Sequence, residues 1–282
     1  MKSEIIRIFA ILLLIGAISG LIIGLQLYAS PEYDAFLNIA FIGTADKSDC
    51  AVIWQKDFAM MVDAAEDRDA EAILSFLAEK NIGGIDYLIL THPDKDHIGS
   101  ASAITGALKV KTVIQPFYQK EYEAYRNLQA RFAQDKVKTV VPSRALRYVI
   151  NDLEVYIYPP MEKNYSSNNN YSLAVYARHG NVGILIPGDA DNKRIAELTQ
   201  IEWGPVDLYK LPRHGIDGEN SIEFYSRLAP RYSVVTARHA GELTAKAGAG
   251  WGTEWFFTVG ATAEFLSDGE TLTPIRQAAD ER

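Results

Sequence analysis

The chain has 282 residues, of which 48% are hydrophobic and 23% charged. This composition is typical of a folded globular protein and excludes a wholly disordered one. The 28 basic and 36 acidic residues give a net charge of −8, which argues against binding to nucleic acid through overall charge. One cysteine, Cys50, excludes a disulfide within the chain and a zinc site built from cysteines.

The amino-terminal region contains an uncharged run of 24 residues, 8–31. As a helix it would be roughly 36 Å long, enough to cross a bilayer core of roughly 30 Å. Lys2 and Arg7 precede the run, which predicts a cytoplasmic amino terminus and an extracytoplasmic remainder. We therefore expect residues 1–34 to form a single-pass membrane anchor. The alternative is a cleaved signal and a secreted protein, although Leu27-Tyr28-Ala29 is a poor cleavage site.

Beyond this run, strand and helix patterns alternate, which predicts one α/β domain over residues 35–275 and a short tail over 276–282. The apolar runs and predicted strands are 37–42, 51–54, 58–63, 85–90, 110–114, one near Leu208, 232–236 and a group within 255–275. Two hairpins are predicted, 146–150 with 153–158 and 173–177 with 182–186. The predicted helices are 69–80, one after Gly99, 122–134 and 221–228. The polar stretch 162–171 is interpreted as a loop that lines a site.

One short segment carries four side chains that can bind a metal. His92, Asp94, Asp96 and His97 follow directly on the predicted strand 85–90. Imidazole and carboxylate groups packed this closely cannot all enter an apolar core, because buried carboxylates must be paired or must coordinate a metal. The end of a strand is also where α/β folds place ligands. The alternative is a solvated turn in which Asp96 caps the next helix.

The segment Thr91 to Gly99, THPDKDHIG, resembles the H-x-[HD]-x-D-H signature of the metallo-β-lactamase superfamily. It is most similar to the version in the hydrolase domain of ComEC-type DNA-uptake proteins. The resemblance implies a four-layer αββα sandwich, and it covers roughly residues 35 to 275. It also implies a metal-dependent hydrolase.

The remaining segments of the family pattern occur in the expected order. They are Phe41-Ile42-Gly43 up to Cys50 for DVGxGD, Met61-Val62-Asp63, Asn169 to Leu173 for NxxSL, Ile186 to Asp189 for TGD, Leu211 to Gly215 for KxxHHG, and Phe265 to Gly269. Residues 44–46 depart from the first of these patterns. Taken alone, Asp189 could equally cap a following helix and His214 could be structural. The ordered match implies instead that both are metal ligands. His179 and His239 have no partner motif, and we interpret them as a turn residue and a surface or core residue.

The resemblance implies a first metal site with His92, Asp94 and a shared Asp189, and a second with Asp96, His97, Asp189 and His214. Asp63 would hold a ligand histidine by a hydrogen bond. Two departures matter: Asp94 replaces the commoner second histidine, and Asn170 stands where many relatives supply another. Because carboxylates are harder ligands than imidazole, manganese competes with zinc, and one or two ions are expected.

The mechanism implied is hydrolysis. A divalent ion lowers the pKa of a bound water to about 7, and two ions could clamp the attacking and leaving oxygens. Asp96 would be the catalytic residue that orients this water or accepts its proton. Arg213, which replaces the first histidine of the family's His-His pair, could bind an anionic substrate such as phosphate.

The substrate is suggested by local charge. Residues 109–147 contain nine basic and three acidic residues with interleaved Phe and Tyr, a pattern that suits a polyanionic strand. The alternative is a solvated helix whose aromatic side chains pack inward. Together with this pattern, the resemblance to ComEC-type proteins implies a membrane-anchored phosphodiesterase or nuclease. The alternatives are a hydrolase of a lactone, amide or cell-envelope ester, and a binding protein that kept the fold without the chemistry.

Overall fold

Fifteen strands and seven α-helices lie in residues 36–118 and 123–277, which are the residues that this computed structural model describes. The strands are β1 (Leu37–Phe41), β2 (Ala51–Gln55), β3 (Phe58–Val62), β4 (Gly84–Ile89), β5 (Lys109–Ile114), β6 (Lys138–Val140), β7 (Leu146–Ile150), β8 (Leu153–Tyr158), β9 (Ala174–His179), β10 (Val182–Ile186), β11 (Leu208–Lys210), β12 (Tyr232–Val235), β13 (Glu254–Phe257), β14 (Ala263–Ser267) and β15 (Leu272–Gln277). The helices are α1 (Ala70–Glu79), α2 (Lys95–Ile98), α3 (Ala101–Ala107), α4 (Glu123–Gln134), α5 (Asn192–Leu198), α6 (Ser221–Leu228) and α7 (Glu242–Trp251).

The strands form two mixed sheets. The first has the order β15-β14-β1-β2-β3-β4-β5-β6, and the second β13-β12-β11-β10-β9-β8-β7. Strands β3 to β6 are parallel, as are β10 to β13, whereas the other pairs in each sheet are antiparallel. The carboxyl ends of each parallel set therefore meet at one edge, where an α/β fold places its ligands.

Alternation along the strands builds four layers. In β1, Leu37, Ile39 and Phe41 face the core between the two sheets, whereas Ala40 faces the core under α1, α3 and α4. A third core lies between the second sheet and α5 and α6. The central strands, such as β3 and β10, are thus buried on both faces, which explains their near-continuous apolar sequences. The result is a mixed α/β sandwich of helices, sheet, sheet and helices.

The structure confirms most of the predicted elements and corrects a few. Helix α6 and the hairpins β7–β8 and β9–β10 lie where the patterns place them. Strand β6 and helix α7 were not predicted, because β6 has only three residues and α7 carries glycines that read as a loop. The interpretation of His179 as a turn residue is wrong. It is the buried last residue of β9, and its ring bonds Ser267 Oγ and Asp152 Oδ2 at 2.9 Å each.

The structure contains no helix long and apolar enough to cross a membrane within the described residues. The run 8–31, on which the anchor prediction rests, lies outside them. Residues from Leu37 onward form one compact unit, and the last described residue is Gln277.

Candidate metal centre

The HPDKDH segment is the turn from β4 into helix α2. Strand β4 ends at Ile89, and Asp94 is extended, with φ −74° and ψ 153°, just before α2 begins. The turn buries both histidines, since His92 is 1% exposed and His97 is fully buried. Asp96 lies in the first turn of α2 and keeps its side chain 23% exposed. The segment therefore presents two imidazoles inward, whereas the carboxylates of Asp94 and Asp96 are partly exposed.

Asp63 fixes the orientation of His97. It follows β3, and its carboxylate accepts hydrogen bonds from the Thr91 N–H and hydroxyl, both at 2.7 Å, and from His97 Nδ1 at 2.8 Å. A carboxylate partner keeps the proton on Nδ1 and leaves the Nε2 lone pair for a metal. His97 Nε2 is buried, has no hydrogen-bond partner and lies 3.5 Å from Asp189 Oδ2. The resemblance implies a hydrogen bond between Asp63 and a ligand histidine, and the partner in the structure is His97.

Asp189 is placed by a tight turn after β10. Gly188 has φ 60°, and a Cβ there would lie 2.7 Å from the Thr91 side chain, so the turn requires glycine. Asp189 N donates to Ser172 Oγ at 3.1 Å. Helix α5 is capped by Asp191, whose side chain accepts from Asn192 N. The cap role considered for Asp189 therefore belongs to Asp191, and the Asp189 carboxylate is directed toward the histidines.

His214 closes the group from the second sheet. It follows β11 in a left-handed conformation, with φ 55° and ψ 18°. Such a backbone is costly for a residue other than glycine and is found most often at functional sites. His214 Nε2 lies 3.1 Å from both Asp96 Oδ2 and Asp189 Oδ2. Asp96, His97, Asp189 and His214 thus converge, and we call them the His214 half of the centre.

Two residues at the centre were not among the predicted site residues. Asp49 is buried just before β2, 3.2 Å from His214 Nδ1 and 3.7 Å from His97 Nδ1. One ligand atom each from Asp49, His97, Asp189 and His214 lies within 4.8 Å of the others. Lys210, at the end of β11, forms ion pairs with Asp49 and with Asp189 Oδ1, the latter at 3.2 Å.

The ring nitrogen that each one contacts distinguishes the roles of the three carboxylates near His214. Asp49 contacts the Nδ1 atoms of both histidines, whereas Asp96 and Asp189 contact Nε2 of His214. A metal bound at the Nε2 side would take Asp96 and Asp189 as ligands, with Asp49 orienting the rings from behind. The acid before β2 in the DVGxGD-like segment, and the lysine of the KxxHHG pattern, were the signals for Asp49 and Lys210.

His92 and Asp94 form a second part of the centre, which we call the His92 half. The His92 and His97 ring centroids are 4.0 Å apart. His92 Nε2 is buried without a hydrogen-bond partner, 3.6 Å from Asp94 Oδ2. Asp94 Oδ1 accepts from Asn168 Nδ2 at 2.8 Å, so the polar stretch 162–171 does reach the centre.

Asn170 and Arg213 are held by neighbouring groups. The buried Asn170 side chain uses Oδ1 to accept from the Arg194 N–H at 3.0 Å, at the start of α5. Arg213 pairs with Asp191 Oδ1 at 3.2 Å and is 30% exposed. Like His214, Arg213 is left-handed, with φ 49°. The guanidinium is therefore oriented by the residue that caps α5.

The charges of the centre favour a cation. Burial would raise the pKa of Asp189, but Lys210, His97 and His214 hold it well below its usual range. Burial would lower the pKa of His214, but the carboxylates of Asp189 and Asp49 raise it to about 10. The pKa of His97 is likewise raised well above its usual value by Asp63, Asp189 and Asp49 against the effect of burial. In the absence of a metal, these imidazoles hold protons in its place.

The donor set fits a divalent metal. Two buried Nε2 atoms, of His92 and His97, have no hydrogen-bond partner, a state that buried polar atoms rarely adopt unless a ligand or ion completes them. Imidazole nitrogens with carboxylate oxygens form a set that zinc, manganese and iron all accept. The residues present therefore suit the one or two ions that the resemblance implies.

Two known proteins are similar to this chain in sequence. The chain is 29% identical to ComE operon protein 3 of Bacillus subtilis over 169 residues, which are 59% of this chain and 22% of that protein. It is 24% identical to Recombination protein 2 of Haemophilus influenzae over 165 residues, 58% of this chain and 19% of that protein. The chain thus spans about a fifth of the length of the curated relatives it matches.

The fold is shared with solved structures. The metallo-beta-lactamase fold protein YhfI from Bacillus subtilis superposes with a TM-score of 0.55 at 10% identity, covering 81% of this chain and 99% of that one. The sequence profile of the metallo-beta-lactamase superfamily matches residues 43–219, which include every residue of the centre described above. The chain belongs to the metallo-beta-lactamase superfamily.

Proposed function

We propose that this protein is a metal-dependent hydrolase that cleaves phosphodiesters, acting as a nuclease or phosphodiesterase. The observation that carries the proposal is the convergence of His97, His214, Asp96 and Asp189 around two Nε2 atoms. Family membership supports hydrolysis, and similarity to the ComEC-type proteins supports a nucleic-acid substrate.

Each residue of the centre has a proposed task. A divalent ion, when bound, supplies Lewis acidity and a water of lowered pKa. Asp96 orients or deprotonates the attacking water, because its carboxylate is the most exposed of the His214 half. Asp63 holds the His97 ring, while Asp49 and Thr236 hold His214 Nδ1, Thr236 Oγ1 at 3.0 Å. Arg213 binds an anionic group of the substrate.

The pocket beside His92 and the basic region 109–147 bear on whether an extended anionic substrate fits. The pocket is small, with room for about one water molecule, and is lined also by Gln115, Tyr118 and Tyr125. Phe117 is 45% exposed, whereas Phe132 packs into a core. The basic region is therefore partly a packed helix, as the alternative interpretation held. Three of its basic residues are also paired with acids: Lys111 with Asp86, Arg131 with Asp135, and Arg147 with Glu154.

We further propose that residues 8–31 anchor the protein in a membrane, with the catalytic domain outside the cytoplasm. The support is the uncharged length of this run and the basic residues before it. Protease accessibility of the full chain in intact and permeabilised cells tests this arrangement. Cleavage of the domain only after permeabilisation would contradict it.

The function is tested with the full-length chain in detergent, reconstituted with manganese or zinc. A phosphodiester reporter and single-stranded DNA are compared with a lactone and a β-lactam. We expect turnover of the phosphodiesters, lost in Asp96→Asn and retained in Asp57→Asn, a matched change in the exposed turn between β2 and β3. Turnover of only the lactone or β-lactam would replace the proposal with the ester or amide alternative. Metal binding without turnover of any substrate would favour the alternative that the chain is a binding protein without catalytic activity.

A further inference from the structure

Lys210 is the buried cation of the centre. Its side chain is 1% exposed, and the ammonium contacts three acceptors: the Asp49 carboxylate, Asp189 Oδ1 at 3.2 Å and the Gly188 carbonyl oxygen at 3.2 Å. An ammonium has three N–H donors, so all three are used. Because a buried charge is costly unless it is paired and hydrogen-bonded, this arrangement fixes the ammonium against Asp189.

The two oxygens of Asp189 are therefore divided between two tasks. Oδ1 faces Lys210, and Oδ2 faces the Nε2 atoms of His97 and His214 at 3.5 and 3.1 Å. A carboxylate that bridges two ions either gives one oxygen to each or shares a single oxygen between them. With Oδ1 held by the ammonium, a second ion would have to share Oδ2, which already faces the Nε2 atoms of His97 and His214.

The His92 half supplies few other ligands. Among the described residues, its ligand atoms are His92 Nε2 and Asp94 Oδ2, which lie 3.6 Å apart. The second oxygen of Asp94 accepts from Asn168, and Asn170 Oδ1 accepts from the Arg194 N–H. Tight zinc sites use three or four protein ligands. The His92 half falls short of that number while Lys210 holds Asp189 Oδ1.

We propose that Lys210 is a built-in cation that takes the place of a second metal ion at Asp189, so that the centre binds one divalent ion tightly. That ion would be held by Asp96, His97, Asp189 and His214. An ion at the His92 half would meet the positive charge of the ammonium across Asp189 and would lack a third protein ligand. This inference rests on the proposed function, which requires a bound metal. It adds the number of ions that the centre holds and the reason for that number.

The test is a titration of the chelator-stripped, full-length protein with Mn²⁺ alone. Calorimetry gives stoichiometry and affinity, and electron paramagnetic resonance separates an isolated ion from a magnetically coupled pair. We expect one tight equivalent with the hyperfine pattern of an isolated ion. A second equivalent should bind at least roughly 100-fold more weakly, the upper end of the effect of losing supporting groups around a metal.

The variant that probes Lys210 is the double change Asp49→Asn with Lys210→Met. It removes both members of an ion pair, so that no partner of that pair stays buried as an uncompensated charge. It also frees Asp189 Oδ1, and we expect the second Mn²⁺ to bind at least about 10-fold more tightly, with a coupled signal. Asp49→Asn alone is the matched control. It keeps the ammonium on Asp189, so a gain in second-ion affinity that occurs in the double variant and not in Asp49→Asn is assigned to Lys210.

The outcomes separate this inference from the proposed function. Two tight, coupled equivalents in the unaltered protein would overturn the role of Lys210 and leave a metallohydrolase. No tight Mn²⁺ in any form would overturn both. If the folded double variant still binds the second Mn²⁺ weakly, Lys210 does not limit how many ions the centre holds. The stoichiometry of the unaltered protein decides the matter even where the double variant fails to fold.

Discussion

The two halves of the metal centre differ in how their side chains are held. In the His214 half, each imidazole has a carboxylate partner at Nδ1: Asp63 for His97 and Asp49 for His214. His214 Nδ1 also contacts the Thr236 hydroxyl. Among the described residues, His92 Nδ1 in the His92 half contacts only the Thr91 hydroxyl, at 3.2 Å. We therefore expect the same residue types to form a stronger or a weaker site according to the groups behind them, since carboxylates fix the ring and increase its basicity.

The largest effect is expected from removing a metal ligand of the His214 half. His97→Ala should lose the tightly bound metal and reduce hydrolysis to background, with far-ultraviolet circular dichroism largely unchanged. Asp96→Ala should abolish hydrolysis in the same way. The reason is that each change removes one of only four ligand side chains in the His214 half. Full activity in either folded variant would refute the site assignment.

A smaller effect is expected from removing the support instead of the ligand. Asp63→Asn keeps the size of the side chain, but an amide no longer holds the proton on His97 Nδ1. Metal affinity should fall roughly 10- to 100-fold, the range found for groups that orient metal ligands. Competition with a chromophoric chelator measures this change.

Asp152→Asn is the matched control for Asp63→Asn. Asp152 Oδ2 also bonds an imidazole, His179 Nε2 at 2.9 Å, in a carboxylate–histidine pair that is not part of the metal centre. Metal affinity should stay unchanged in this variant. Equal losses in Asp63→Asn and Asp152→Asn would point to general destabilisation in place of a metal-specific role.

His92→Ala should have a smaller effect still. The tight equivalent is expected to remain, with its affinity reduced less than about 10-fold, because the His214 half keeps its four ligand side chains. Metal analysis after dialysis measures this directly. Loss of all metal in His92→Ala, equal to the loss in His97→Ala, would mean that the two halves act as one site.

The pH dependence of stability and of metal affinity tests the environment of His214. The pKa of His214 is raised from 6.5 to about 10, so its contribution to metal-free stability is complete below pH 6.5. That contribution is lost as pH rises through about 10, whereas metal affinity should rise over the same window because the imidazoles must release protons. Thermal melts of the metal-free protein and calorimetric titrations measure both. A metal-free melting temperature that does not fall over this window would contradict the assignment.

The sequence alone predicts the parts of the centre that lie close together in the chain. His92 to His97 form one segment, and Asp63 and Asp189 are acids directly after apolar strands, so their positions follow from strand ends meeting at one edge. Asp96, His97, Asp189 and His214 are brought together as the family resemblance implied.

Lys210 and Asp49 were missed because their roles depend on how the strands are stacked. A lysine in the run Leu208 to Leu211 reads as a strand residue whose ammonium reaches solvent. Only the parallel pairing of β11 with β10 and β12 buries it behind Asp189. Asp49 lies in a segment with an unusual sequence, and its backbone N–H is tied to the Asp96 carbonyl oxygen at 3.0 Å.

The polar stretch 162–171 shows the limit of carrying a family pattern over residue by residue. Asn170 occupies the family's histidine position, yet its amide oxygen bonds the Arg194 N–H at the start of α5. The neighbouring Asn168 is the residue that contacts Asp94. A stretch rich in asparagine leaves register open, because either amide satisfies the same local pattern, and only tertiary packing decides which one faces the site.

We propose that His97 and His214 form a metal site, and the most direct test is the metal content of the purified full-length protein. It is compared with His97→Ala and with His239→Ala, a change at an exposed histidine. We predict bound zinc or manganese in the unaltered protein and in His239→Ala, and none in His97→Ala. Metal retained in full by folded His97→Ala, or no metal in any of the three after reconstitution, would contradict the account.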